Sequence, residues 1–382
     1  MKVLHYCNLF SPLSQTFIYD VIIQLDEMGV EQVVVANELL NEFDRPFERT
    51  IQLSKMKETF FEKVLHEIQG KAGLSGHTWV ERNEKAKQAA LLDCLVDEKP
   101  DIVHAHFGPQ GFFSLPVTLL AKIPLVVSFH GFDAFRIPKE NGGLEKLTRL
   151  FKDVTWITVV SELMKNHLIG LGCPADKLRV IHVGKKIAAY PFAKREHKII
   201  KKFLSIGRLT DKKGHEDCIK AFLKLRSDFP DLTLDIIGEG ELDNKLNELI
   251  IKNELSQVRL LGSISHQETV AHLKNADAFI LCSKTASDGD QEGIPTVLME
   301  AQAMGIPCIS TFHSGIPEVI PSENQWMLAE EGNINSIAGK IRELVNTSSE
   351  VLINATQLGR EKVSEEFNLE TEVNKLKELY EA

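Results

Sequence analysis

Short apolar runs rich in β-branched residues alternate along this chain with longer segments whose apolar positions recur at helical spacing. The first half predicts strands at residues 3–7, 32–36, 102–107, 125–129, 156–160 and 179–183. The second predicts them at 203–206, 233–237, 258–261, 278–282 and 307–310. Alternation of this kind is the pattern of parallel sheets with helices on both faces, so the fold class is α/β with two doubly wound, Rossmann-like domains. Apolar periodicity lapses between residues 185 and 202, dividing the chain into a domain at 1–190 and another at 198–368. A highly charged segment, 55–87, carries Phe60, Phe61, Val64, Leu65 and Ile68 at helical spacing. It is expected to be an amphipathic helix packed on its own domain, with an interfacial helix on a bilayer as the minority reading.

At 382 residues the chain has room for two ordinary cores. Residues 1–200 hold 25 Lys and Arg against 24 Asp and Glu, so nearly all of the net charge of −10 lies in the second half. No basic domain or stripe with aromatic platforms is present, which argues against a nucleic-acid partner. The one basic cluster, Lys185, Lys186, Lys194, Arg195, Lys198, Lys201 and Lys202, reads first as a solvated linker and second as a point of peripheral contact with the inner membrane surface. Six scattered cysteines without a C-x-x-C pair are the usage of a reducing compartment. No signal peptide opens the chain, and no run reaches the roughly 18 apolar residues of a spanning helix, so the expected location is cytoplasmic.

Candidate chemistry falls at the carboxyl ends of the expected strands, where such sheets bind ligands. Glu292-Gly-Ile-Pro-Thr-Val-Leu-Met-Glu300 places two carboxylates eight residues apart around a turn into a helix, with Pro295 expected as its first residue and Gly305 just past its end. A helix start there, with Gly293, Ile294, Pro295 and Thr296 beside it, suits a phosphate, and the carboxylates suit hydroxyls of a sugar and a ribose. Gly207-Arg208 followed by Lys212-Lys213-Gly214 sets a guanidinium and an ammonium around one strand-to-helix loop, able to converge on a diphosphate. Gly238 and Gly240 end the next strand and let backbone approach a nucleotide, but Asp243 stands where a dinucleotide fingerprint needs glycine. Asp288-Gly-Asp290 has the spacing of a metal pair without a third ligand, and reads as a loop shaping the pocket. His104 and His106 share a strand face, a geometry compatible with metal, although such histidines more often line a cleft or core. No metal site is expected. His130 ends its strand before Gly131-Phe132-Asp133 and could hydrogen-bond sugar hydroxyls, with Asp133 orienting it or meeting an acceptor. Ser161 reads as the N-cap of a helix that opens at Glu162.

Together these stretches resemble the retaining glycosyltransferases of family 4, over most of the chain. Gly207-Arg208-Leu209 with Lys213-Gly214 looks like the family's diphosphate-binding segment, and Glu292 to Glu300 like its E-x7-E motif. Val159-Val-Ser-Glu162, Gly172-Cys-Pro-Ala-Asp-Lys177, Ile181-His182-Val-Gly184 and Ser314-Gly-Ile-Pro-Glu318 match as well. Within the family, Ser14-Gln-Thr-Phe17, His104-Ala-His-Phe-Gly108, Phe129-His-Gly-Phe-Asp133 and Asp288-Gly-Asp-Gln-Glu-Gly-Ile-Pro295 look most like enzymes of bacterial exopolysaccharides such as colanic acid and amylovoran. The resemblance implies the GT-B fold, two Rossmann-like domains facing each other across a cleft, with a last helix at about 369–382 packing back on the first domain. It implies that Arg208 and Lys213 neutralise the diphosphate, that Glu300 binds the ribose and Glu292 the donor sugar, and that His130 contacts the sugar from the opposite domain.

Two departures stand out: Leu13-Ser14-Gln15 replaces a glycine pair common in the first loop, and Gly184-Lys185-Lys186 replaces Gly-Val-Asp after the last strand of the first domain. The expected activity is metal-independent, retaining transfer from a nucleotide-diphosphate sugar (UDP- or GDP-sugar) as co-substrate, with no cofactor, to a glycan or lipid-linked saccharide in exopolysaccharide, capsule or lipopolysaccharide synthesis. The rivals are a sugar-nucleotide epimerase of the same fold and a non-catalytic sugar-nucleotide-binding subunit.

Overall fold

A computed structural model of the chain describes residues 1–12, 15–53, 79–194 and 199–382. Leu13, Ser14, Arg195, Lys198 and most of the expected helix at 55–87 lie outside the described residues. The chain forms two compact units. The first comprises Met1–Val159, Lys165–Ile181 and Val373–Ala382, the second Val160–Met164 and His182–Glu372.

Among the described residues the first unit holds seven parallel strands: β1 Lys2–Phe10, β2 Glu31–Leu39, β3 Thr50–Gln52, β4 Ile102–His106, β5 Leu125–Phe129, β6 Trp156–Val159 and β7 Leu178–Val180. Their order is β3-β2-β1-β4-β5-β6-β7. The second unit holds six: β8 Lys202–Ile206, β9 Thr233–Ile237, β10 Val258–Leu260, β11 Ala278–Ile280, β12 Cys308–Thr311 and β13 Leu328–Ala329, in the order β10-β9-β8-β11-β12-β13. Both are doubly wound sheets whose order reverses beside the first strand, between β1 and β4 and between β8 and β11. A crevice opens beyond the carboxyl ends of strands at such a reversal.

The short apolar runs are explained by burial on both faces. In the second sheet Phe203, Leu234 and Ile236 pack into one apolar cluster, while Leu204 and Ile237 pack into another. Each such side chain contributes about 1.5–3 kcal/mol on burial. Edge strands β3 and β13 escape a reading from periodicity because three and two residues carry too little pattern. The strand expected at 179–183 stops at Val180. There the chain leaves the sheet, and His182 turns to Glu318 and Glu372, its ring nitrogens 3.7 and 3.8 Å from their carboxylates. No helix among the described residues is long and apolar enough to cross a membrane.

Glu318 does more than face His182. Its two oxygens accept the backbone N–H groups of Glu162 and Leu163, at 2.9 and 3.0 Å, at the start of helix Glu162–Gly170. Ser161 Oγ accepts from Met164 N at 3.1 Å, the cap expected of it. Burial alone would push the His182 imidazole down, but Glu318 and Glu372 outweigh it and raise the ring to about 9. A group raised on folding stabilises fully below its unfolded value, near 6.5, and loses that stabilisation as pH rises through the folded value. The unfolding free energy should therefore fall by about 2–3 kcal/mol between pH 6.5 and about 9. Denaturant titrations across that range should show the decline in the native chain and a flat profile in His182→Gln.

Candidate active site

The second crevice is built on one close approach. Strand β8 ends in Gly207-Arg208, and residues Asp211–Lys213 make a single 3₁₀ turn that Gly214 stops at φ 65°. A Cβ at Gly214 would lie 1.7 Å from the Cys282 carbonyl oxygen, so only glycine lets this loop rest on the exit of β11. Lys284 N–H then donates to Lys212 O at 2.9 Å, tying the two strand exits together. On the other side Gly238, at φ 142°, brings β9's exit onto Gly207, where a Cβ would stand 2.0 Å from the Gly207 oxygen.

This seat carries Lys213 to Glu292, with Nζ 3.0 Å from Oε2. Lys212 Nζ reaches Asp290 at 3.0 Å and Glu292 Oε1 at 3.8 Å. Burial alone pushes the Glu292 carboxyl up, and the Lys213 and Lys212 ammonium groups reverse this, holding it below its ordinary range. Its Oε1 is buried and makes no hydrogen bond among the described residues. Arg208, on the same strand-exit loop, is exposed. Asp288-Gly-Asp290 folds on itself, Asp290 N–H donating to Asp288 Oδ1 at 3.0 Å; Asp290 Oδ2 is ion-paired with Lys212, while its Oδ1 is buried without a hydrogen bond among the described residues.

Gly293 and Ile294 lead from Glu292 to helix Thr296–Ala303. Pro295, expected as the first helical residue, is instead the N-cap at ψ 115°, and its carbonyl accepts from Leu298 N. Thr296 is therefore the first helical residue. Gly305 follows the helix end at φ 72°. Glu300 lies buried within this helix, and Lys185 Nζ sits 3.1 Å from its Oε1.

Motif reading missed the supports. His313 Nε2 accepts the Glu292 N–H at 3.3 Å while its Nδ1 faces Glu331 at 2.9 Å, and Ser314 Oγ donates to Glu292 O at 2.6 Å. Lys185, seen in the sequence as a departure from the usual hinge, supplies the partner of Glu300. Ser314 lay inside a matched motif, but nothing local pointed it, or His313, at a residue some twenty positions away.

In the first unit His130 follows β5, its ring between Phe17 and Phe107 with centroids 4.7 Å from each. Both ring nitrogens are buried without a hydrogen-bond partner among the described residues, and burial pushes the imidazole down to about 3. Asp133 does not orient that ring. Its Oδ1 accepts from His130 N and Gly131 N, and its Oδ2 from Gly108 N, so it fixes the two strand-exit loops through their backbones. His104 and His106 share a face as expected and are joined there by His5, the three offering ring nitrogens within 4.8 Å of one another.

Residues 14–185 match the family described as Glycosyltransferase Family 4, and residues 188–361 match Glycosyl transferases group 1. The chain is 30% identical over 411 residues to the amylovoran biosynthesis glycosyltransferase AmsK of Erwinia amylovora, covering 100% of this chain and 99% of that one. It is 28% identical over 315 residues to a UDP-Gal:alpha-D-GlcNAc-diphosphoundecaprenol alpha-1,3-galactosyltransferase of Escherichia coli, covering 76% and 78% of the two chains. The crystal structure of Anabaena Alr3699/HepE in complex with UDP shares the fold, with a TM-score of 0.77 at 16% identity over 99% of both chains.

Replacing Gly214 by alanine forces a Cβ into the Cys282 carbonyl and imposes a left-handed φ on a branched backbone. Gly214→Ala should lose about 3 kcal/mol or more of unfolding free energy, measurable by denaturant titration, whereas alanine at Gly332, also at positive φ but in open space, should cost about 1 kcal/mol.

Proposed function

The chain belongs to the family 4 glycosyltransferases, of GT-B fold, and from that premise we propose that it transfers a sugar, with retention, from a UDP-sugar to a glycan or lipid-linked saccharide in exopolysaccharide synthesis. The observation that carries the donor half is the cluster at the β8/β11 crevice. A buried, ionised Glu292 is held by Lys213 and Lys212 at the start of a helix whose own Glu300 is buried eight residues on. The choice of UDP rests on the UDP named for the galactosyltransferase relative and on the UDP complex of the structural neighbour. The lipid-linked acceptor rests on the same relative's named acceptor.

In this reading Arg208 and Lys213 bind the diphosphate, and the first free N–H groups of helix Thr296–Ala303 add positive potential. Breaking the anomeric C–O bond leaves extra charge on the diphosphate, so preorganised cations favour the transition state over the ground state. Glu292 Oε1, without a hydrogen bond among the described residues, accepts from a hydroxyl of the donor sugar. Glu300, steadied by Lys185, accepts from the ribose hydroxyls. Gly207 and Gly238 admit the nucleotide backbone closely, with Gly293, Ile294, Pro295 and Thr296 shaping the sugar and phosphate end. His130, a neutral imidazole, meets sugar hydroxyls. The departing phosphate takes the acceptor proton on the same face, so retention needs neither a protein nucleophile nor a metal ion.

Lys213→Ala should lower turnover by about 10²–10³-fold, the cost of one transition-state donor. Glu300→Gln, which keeps a partner for Lys185, should weaken donor binding while the fold survives. Thermal unfolding with excess UDP, GDP and ADP is the direct check: UDP at a hundred times its dissociation constant should add about 2.7 kcal/mol to the native state, with or without chelator. Equal stabilisation of the Glu300→Gln variant, or near-normal turnover by Lys213→Ala, would contradict the site. Recovery of an altered UDP-sugar without acceptor would make the protein an epimerase.

A further inference from the structure

Strand β12 lies between β11 and β13, and side chains cross-link the exits of all three. Thr311 pairs with Ala329 across β12 and β13, and His313 and Glu331 each stand two residues further on. Residues two apart share a strand face, so the register carries the imidazole to the carboxylate. His313 Nδ1 lies 2.9 Å from Glu331 Oε2. The other Glu331 oxygen, Oε1, accepts the Thr285 N–H at 2.5 Å, beyond the end of β11. On its far side the ring meets Glu292, whose N–H points at Nε2 from 3.3 Å. Thr285 and Glu292 are the two ends of the loop that contains Asp288-Gly-Asp290, so one carboxylate and one imidazole hold both ends.

These bonds fix the position of the imidazole proton. A backbone N–H can only donate, so Nε2 must present its lone pair to Glu292. Nδ1 then carries the hydrogen and donates it to Glu331, which as a carboxylate can only accept. Burial alone would push the Glu331 carboxyl up, but the bonds from Thr285 and His313 outweigh it and hold the group below its ordinary range. The ionised Glu331 therefore selects the Nδ1–H tautomer, the one form of the ring that can hold the Glu292 N–H. His313 is buried, whereas the Glu331 side chain is 33% exposed. The chain of bonds thus runs from a partly exposed carboxylate to the backbone of a buried one.

We propose that Glu331 and His313 are a positioning pair for glycosyl transfer: Glu331 sets the imidazole tautomer, and His313 in turn sets Glu292 and the loop that leads to it from Thr285. Neither touches substrate. That Glu292 faces the donor sugar rests on the function proposed above; the tautomer and the grip on the Glu292 N–H do not. Lys212 and Lys213 pull on the Glu292 side chain, and the grip on its backbone keeps the residue in place against that pull. Without His313 the Glu292 peptide is held only through its carbonyl, by Ser314. A displacement of about 1 Å at such a group costs about a hundredfold in rate.

Long-range ¹H–¹⁵N correlation on the full chain labelled at histidine should show His313 protonated on Nδ1. Amide hydrogen exchange at Glu292 should speed up about fivefold to tenfold in His313→Leu, the worth of one hydrogen bond. It should slow again in His313→Gln, whose oxygen accepts from Glu292 while its amide nitrogen donates to Glu331. Turnover is read as UDP released from UDP-glucose or UDP-galactose with water as acceptor. In His313→Leu, kcat should fall about tenfold to a hundredfold with KM for the nucleotide sugar little changed, and His313→Gln should recover most of the loss. Glu331→Gln, whose single oxygen cannot serve Thr285 and His313 together, should lower kcat in the same way. A His313 proton on Nε2 alone, Glu292 exchange unmoved in His313→Leu, or variants that melt earlier yet keep the native kcat would each overturn the proposal, the last making the pair structural only. UDP release from neither nucleotide sugar by the native chain would count against the donor reading alone, and the grip on Glu292 would then stand or fall by the tautomer and the amide exchange.

Discussion

The geometry of the second crevice depends on a backbone resting directly on a backbone. Gly214, left-handed and without a Cβ, lets the loop after β8 sit on the carbonyl that ends β11. The contacts of Lys212 and Lys213 with Asp290 and Glu292 follow from that seat. Lys212 and Lys213 are carried over the exit of the neighbouring strand, and there they meet a carboxylate that is distant in sequence. The far side of Glu292 is held as firmly, by His313 at its N–H and Ser314 at its carbonyl. A carboxylate gripped at its backbone from one segment and at its side chain from another has little freedom to rotate. That is the condition under which charge assists catalysis without reorganisation.

The two sheets repeat one architecture and differ in the chemistry placed at their crevices. The second crevice gathers ammonium groups, a guanidinium and a helix start, a setting for phosphate. The first gathers imidazoles that burial keeps neutral, together with aromatic rings. Neutral nitrogens are suited to hydroxyls, which neither repel nor strongly attract charge. On the function proposed above, the charged crevice suits a donor whose leaving group is a diphosphate, and the neutral one suits a sugar hydroxyl. An unpaired buried nitrogen costs about 1–3 kcal/mol of stability. The open nitrogens of His106 and His130 carry that cost, no partner for them lying among the described residues.

Lys185 links the segment after β7 to the second crevice. Its backbone pairs with Asn368, and its ammonium lies buried against Glu300. What looked in the sequence like an altered hinge is the partner of the second carboxylate of the E-x7-E motif. A buried lysine with a good partner is tolerated where a lone one is not, since desolvation is offset by the ion pair. The residues at 185 and 300 therefore have to be considered together, and neither is interpretable alone.

The sequence by itself determined the α/β class, most strands to within a residue or two, the glycines of the strand exits and the Glu292–Glu300 spacing. These are legible because each is local: periodicity reports burial on both faces, and glycine marks positive φ or close approach within a few residues of where it stands. Pro295 was misplaced by one position, a difference set by the N-cap geometry of a turn rather than by residue type. Strands of two and three residues left no pattern. Only the tertiary structure decided that Lys213 meets Glu292, that Lys185 meets Glu300, and that Tyr380 meets His104 across 276 positions. The histidine pair on β4 was visible in the sequence, but not the register that brings His5 beside it. Strand register and loop seating are fixed by the packing of the whole sheet, and no short stretch of chain encodes them.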